Sequence, residues 1–292
     1  MLSQVVSILF PVFALAFVGY CVGRWVKPDF GPINHLNMEI FIPALVFASL
    51  GAMPLEMEQA PLLIASFIAV FLPGLLMIPL SRIFNLRYRV WAPLQMFRNS
   101  GNLAIPLFTY TFGDIALAPA VLLFVVSSCA HICIGQAILS QSNPIKQVIS
   151  SPMVLAALAA LILNVSGIGL WEPLYEASYL LGQAAIPVML ISLGAQMCNL
   201  RLDGLKVGIS CSLLSLFTGA ITFTIVYFLV PLPTMHVQML LLFTMLPPAV
   251  MNYMLAERFN MEPDKVAAMV LLSNFFSIAT LPIILMVTLS LT

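Results

Sequence analysis

Apolar stretches of about twenty residues recur along the chain, each closed off by a short charged or turn-rich segment. They fall near 3–23, 33–52, 61–81, 90–112, 116–139, 151–167, 174–197, 205–229, 236–256 and 266–290. A helix needs roughly 20 apolar residues to cross about 30 Å of hydrocarbon. Continuous runs of this length are unlike the short alternating segments of a membrane β-barrel. The pattern therefore predicts an all-α membrane protein with ten transmembrane helices, the sixth being the shortest.

Composition removes the competing classes. Of the 292 residues, 62% are hydrophobic and 8% charged, and mean hydropathy is +1.08. A soluble domain carries roughly 25% charged residues, so a soluble fold, disorder and a coiled coil are all excluded. Eleven basic residues against eleven acidic ones leave no electrostatic footprint for nucleic acid. The five cysteines (Cys21, Cys129, Cys133, Cys198, Cys211) lie mostly in apolar runs. They read as small packing residues, with no disulfide and no metal assigned. The first positive charge, Arg24, follows the first apolar run, whereas a cleaved signal peptide carries its charge before that run. The segment thus reads as a retained helix, although Ala14-Leu15-Ala16 resembles a cleavage triplet.

Charge then orients the spans. One set of alternate loops holds Arg24, Lys27, Arg82, Arg87, Arg89, Lys146, Arg201, Lys206, Arg258 and Lys265. The other set, with both termini, has no Lys or Arg but holds Glu56, Glu58, Asp114, Glu172 and Glu176. Basic loops stay in the cytoplasm, so both termini are expected outside. The remaining basic residue, Arg98, falls inside the fourth span.

The chain also repeats itself. IPALVFASLGA at 42–52 matches IPVMLISLGA at 186–195, and VVSSCAHI at 125–132 more weakly matches LLSNFFSI at 271–278. Halves of 1–142 and 148–292, joined by a polar stretch at 141–147, then contain five spans each. An odd number of spans makes the second half enter the membrane from the opposite side. Inverted-topology repeats of this kind are typical of secondary transporters.

Two spans carry interruptions. The fourth contains Arg98-Asn99-Ser100-Gly101-Asn102-Leu103-Ala104-Ile105-Pro106, and the ninth Leu246-Pro247-Pro248-Ala249-Val250-Met251-Asn252. At 1.5 Å per residue, Asn102 lies about 18 Å along its span and Pro247 about 16 Å along its own. Both breaks are thus expected near the bilayer midplane, in corresponding spans of the two halves. Paired interruptions are the best sequence pointer to a transporter binding site.

These residues carry a resemblance. The chain is similar to bacterial members of the auxin efflux carrier family, within the bile acid/auxin transporter superfamily, a group that includes malonate and malate permeases. The matching motifs are Asn37 with FIPALVFASL, NSGNLAIPL, IPVMLISLGA and LPPAVMNYMLAERF. The resemblance covers the whole chain. It implies two inverted five-helix repeats whose fourth and ninth helices are broken and cross. It also implies a scaffold of spans 1, 2, 6 and 7, a transport unit of spans 3–5 and 8–10, an elevator-like cycle, and a homodimer through the scaffold. Asn99, Gly101, Asn102 and Pro106 match the family's first crossing motif, and Pro247, Pro248 and Asn252 the second. Ala104 stands where the family often has glycine, and the long cytoplasmic loop of the plant carriers is absent.

Other residues are candidates on chemical grounds. Arg98 either attracts a carboxylate substrate or pairs structurally with Glu39 or with carbonyls freed by the break. Glu39 is a candidate site for a coupling proton or sodium ion, or else a partner for Arg98 or an interfacial residue. Its repeat counterpart, Gln183, does not titrate. Ser127, Ser128 and His131 correspond to Ser273, Asn274 and Ser277, either as extra ligands beside the crossing or as groups bonded within their own helices. Gly19 and Gly23 suit close helix packing, within the chain rather than between chains.

Together these features predict a secondary transporter for a small organic anion, a mono- or dicarboxylate, in the bacterial cytoplasmic (inner) membrane. No cofactor is expected, and transport is driven either by an ion gradient, of H+ or Na+, or by the substrate gradient itself. A sodium-coupled bile-acid-symporter-like protein is the alternative. A non-transporting sensor would need a signalling domain. An intramembrane enzyme would need a zinc, nucleophile, P-loop or paired-carboxylate motif, and none occurs.

Overall fold

The long apolar runs have no partner for their backbone groups except themselves, and they fold accordingly. The computed structural model describes residues 2–52, 60–135, 138, 151–167, 169–199 and 204–291. Glu56, Glu58, Lys146, Arg201 and the expected linker at 141–147 lie outside these residues. Every regular element among the described residues is helical. In chain order they are α1 Leu2–Val26, α2 Gly31–Ala52 and α3 Ala60–Ile83, then α4 Tyr88–Met96 and α5 at 100–112. There follow α6 Asp114–Ile134, α7 Pro152–Val165, α8 Glu172–Gln196, α9 Leu205–Leu229, α10 Thr234–Met245, α11 Met251–Arg258 and α12 Pro263–Ser290.

Among the described residues, seven of these helices are long and apolar enough to cross a membrane: α1, α2, α3, α6, α8, α9 and α12. Helices α7 and α10 are apolar but shorter. The segment expected as the fourth span consists of α4 and α5, and that expected as the ninth consists of α10 and α11. The outer surface carries many large apolar side chains, among them Phe10, Phe17, Leu180, Phe217, Phe228 and Ile283. So much exposed apolar surface is foreign to a soluble monomer. This is an integral membrane protein.

Packing divides the helices into groups. Helix α8 packs against α1 and α2, and α7 packs against α2. Helix α9 packs against α12, α10 and α3, while α3 also packs against α4 and α6. The α1–α8 contact is set by glycine. A Cβ on Gly19 would run into the Ile191 carbonyl, and one on Gly194 into the Ala16 carbonyl. Gly23 faces Ala195 in the same seam. The small residues of α1 therefore serve packing within the chain.

Backbone atoms on the far side of this seam have little room to retreat, because interiors are close-packed. Gly194→Ala is expected to destabilise the protein by about 1–3 kcal/mol, the usual range for overpacking. Thermal unfolding in detergent measures it. Gly169→Ala, where an added Cβ meets nothing within 4 Å, serves as the control and should leave the transition in place.

Candidate functional site

The second break follows from its prolines. Pro247 and Pro248 have no N–H to give to the preceding turn. A residue before proline is also pushed out of the helical region, and Leu246 accordingly adopts ψ 151°. Helix α10 ends there, and α11 restarts at Met251. The first break has no proline at its centre. Phe97 is extended (φ −103°, ψ 93°), and α5 begins after Asn99 with a π-helical turn at Ser100–Ala104.

The two breaks complete each other. Arg98 and Pro248 form an antiparallel bridge. The Asn99 N–H donates to the Pro247 carbonyl at 2.8 Å, and the Ala249 N–H donates to the Phe97 carbonyl at 2.9 Å. The Asn252 amide adds a second bond to the Phe97 carbonyl at 3.0 Å. Helix α12 contributes Asn274, whose amide donates to the Pro248 carbonyl at 3.0 Å and whose oxygen accepts from the Asn99 amide at 2.8 Å. Backbone groups stranded by unwinding thus find partners across the crossing.

Arg98 belongs to the same network. It is 1% exposed. Its guanidinium donates to the Leu246 carbonyl, the Ser215 carbonyl and the Thr218 hydroxyl, each at 3.1 Å. Ser215 in turn donates to Gln95 of α4 at 2.9 Å. Among the described residues, no ion pair joins Arg98 to Glu39. The cation is held by carbonyl dipoles and a hydroxyl, with its Nε left without a partner.

Beside the crossing lies a cavity of about 270 Å³. The starts of α5 and α11 form one wall, with α6, α2, α7 and α8 around it. It gathers Glu39, Arg98, Asn99, Gly101, Asn102, Ser127, Ser128 and His131. Pro106, Pro247, Pro248, Asn252, Ser273 and Asn274 do not line it. Pro106 is buried in the first turns of α5, while Pro248, Asn252 and Asn274 belong to the hydrogen-bond network. Pro247 and Ser273 line a much smaller pocket of about 20 Å³, together with Ser277. Gly101 is a tight position, since a Cβ there would stand 3.0 Å from the Phe124 ring.

Two helix starts border this cavity. The first helical bond of α5 runs from Ala104 N to Asn99 O, so the N–H groups of Gly101, Asn102 and Leu103 have no intrahelical acceptor. The bond from Asn252 N to Ala249 O opens α11, which leaves those of Val250 and Met251 in the same state. Free N–H groups and the positive end of the helix dipole favour an anion.

Some wall residues were not picked out from sequence. Asn34 of α2 accepts from the Ser192 hydroxyl of α8 at 2.6 Å. Asn37 and Gln196 each present a buried side-chain oxygen without a hydrogen-bond partner. Three π-helical turns, Asn37–Phe41, Ser100–Ala104 and His131–Gly135, also lie at the cavity. Such turns are frequent at functional sites. The FIPALVFASL motif marked Asn37, but nothing in the sequence marked the π turns.

The network makes a stability prediction independent of any ligand. Asn274→Ala strands the Pro248 carbonyl and the Asn99 amide, and should cost about 1–3 kcal/mol. Arg98→Lys should also lower the melting temperature, because one ammonium cannot span the fork of acceptors that a guanidinium reaches. Melting of the ligand-free protein tests both, and unchanged transitions would remove the crossing network as a structural element.

Comparison with known proteins gives the family. A family model described as "Membrane transport protein" matches residues 137–285. A protein of Rhizobium meliloti (strain 1021) named "Putative malonate transporter" is 20% identical over 301 residues, covering 96% of this chain and 94% of that protein. With an apolar helical exterior enclosing paired helix breaks and a polar cavity, the chain belongs to the membrane transport protein family, that of the auxin efflux carriers.

Proposed function

We propose that this protein is a secondary transporter, not an enzyme, and that its cargo is a small organic anion of the mono- or dicarboxylate class. The carrying observation is the convergence of two helix starts on one cavity, with the Arg98 cation behind them. Free N–H groups of Gly101, Asn102, Val250 and Met251 are suited to carboxylate oxygens. Arg98 raises the local positive potential while its own donors hold the crossing together. Asn99 and Asn252 fix the two breaks, as do Pro247 and Pro248, and Pro106 lies in the helix that follows the first. The similar protein named as a malonate transporter points to the same class of cargo.

The wider arrangement we propose is that of two inverted five-helix repeats, 1–142 and 148–292, giving ten spans whose fourth and ninth cross near the midplane. Spans 1, 2, 6 and 7 form the scaffold, through which two copies pair. The remaining spans form a unit that moves in an elevator-like cycle driven by a proton or sodium gradient. The mutual packing of α1, α2, α7 and α8 supports this grouping. Both termini lie outside the cytoplasmic membrane on this reading, which the segregation of basic loops supports.

The purified protein should be stabilised, in a saturable way, by one or more members of a panel of mono- and dicarboxylates. At a ligand concentration about a hundredfold above Kd, the gain is about 2.7 kcal/mol. Gly101→Ala pushes against Phe124 and should weaken that shift at least severalfold while the ligand-free melting stays close to the parent. Repeating the panel with and without sodium tests the ion. Stabilisation by a neutral or cationic solute, with none from any carboxylate, would overturn the anion reading.

A further inference from the structure

Three described residues lining the cavity beside the crossing are titratable: Glu39, Arg98 and His131. The two terminal nitrogens of Arg98 are engaged by Leu246, Ser215 and Thr218. Glu39 is exposed on α2. His131 differs from both. It is 4% exposed, and its Nε2 has no hydrogen-bond partner. Its ring stacks on Phe97 with centroids 4.1 Å apart and planes 10° apart. Phe97 is the residue whose carbonyl takes the Ala249 N–H and the Asn252 amide. Asn252 also neighbours His131, and its Oδ1 is likewise without a partner.

The repeat sharpens the contrast. Ser277, the counterpart of His131, donates to the Asn274 carbonyl at 2.6 Å and is locally satisfied. A hydroxyl therefore suffices at that position for structure. An imidazole with an unmade bond is a costlier choice in a buried place, and it is the one side chain type whose charge ordinarily changes between about pH 5 and 8.

We propose that His131 is the proton site that couples proton uptake to anion binding in this protein; the inference rests on the anion reading above. When a carboxylate enters the cavity, the free lone pair of the imidazole takes a proton from water. An N–H bond forms, no other covalent bond changes, and the proton returns to water when the carboxylate leaves. Arg98 opposes an imidazolium in the empty cavity, Glu39 favours one, and an arriving anion tips the balance towards the cation. Helices α2, α3 and α5, which pack on the His131 helix, also carry His35, Arg82 and Tyr110, and that helix itself carries Asp114, Cys129 and Cys133. None of these lines the cavity. By reciprocity, an anion that promotes proton binding is itself held more tightly when the proton is present.

Malonate is the probe, and isothermal titration of the full-length protein in two buffers of different ionisation heat counts the protons taken up. The wild-type protein should take up protons with malonate, and bind it roughly tenfold more tightly at about pH 6 than at about pH 8, within the usual range for coupled sites. His131→Gln should bind malonate with no proton uptake of its own and a flat pH profile, which also controls for titration of malonate itself. Glu39→Gln should keep both the proton uptake and the pH dependence, whatever its affinity. If His131→Gln fails to fold, the wild-type and Glu39→Gln arms decide the matter. Proton-independent binding by the wild type, or loss of proton uptake in Glu39→Gln, overturns the assignment to His131 alone. Absence of binding by malonate and by every other carboxylate of the panel removes the anion reading, and this inference with it.

Discussion

Unwound backbone inside an apolar bundle is tolerable only if each freed N–H and C=O finds a partner, because water is not there to supply one. The crossing of the two breaks meets that demand, and the rest of the molecule is arranged around it. The carbonyls of Leu246, Pro247 and Pro248 are taken by Arg98, Asn99 and Asn274 respectively. The carbonyl of Phe97 is taken by Ala249 and Asn252. Each break takes hydrogen-bond partners from the other half of the chain. This makes the two halves interdependent at their centre, and it fixes where both α5 and α11 begin. The cavity inherits its position from those two starting points.

Arg98 shows how one side chain serves this constraint and also conditions the site. A buried cation without a carboxylate is costly unless its donors are used, and here two carbonyls and a hydroxyl use them. An acidic partner would have neutralised the field. Carbonyl dipoles satisfy the hydrogen bonds yet leave the net charge, so the cavity wall keeps a positive bias beside two positive helix ends. The proposed anion site therefore needs no arginine whose fork closes directly on the substrate. Its positive potential is a by-product of how the break is held.

The legibility of the molecule follows the same division. Helix positions were readable because about twenty apolar residues in a row have few alternatives, and the breaks were readable because prolines and amides stand out against such a background. Arg98 was conspicuous for the same reason, but its partners were not. Ser215 and Thr218 look like ordinary hydroxyl residues of α9, and only the three-dimensional approach of that helix to the crossing brings them to the guanidinium. The cavity walls contributed by Asn34, Ser192 and Gln196 were hidden likewise, since they come together only where α2 packs against α8. The π-helical turns leave no compositional mark at all, being a response to packing rather than a propensity.

The two faces of the crossing are unequal, and that inequality bears on how such a protein works. On one face Ser127 and His131 border the cavity of about 270 Å³, and on the other their counterparts Ser273 and Ser277 border a pocket of about 20 Å³. Sequence repetition would make the faces alike if the two halves were in equivalent surroundings. They differ in what packs against them: the large cavity faces α2, α7 and α8, while the small pocket is closed against α9. On the proposed reading the roomy face, turned toward the scaffold helices α2, α7 and α8, is the one that carries the anion, and the unsatisfied imidazole lies on it.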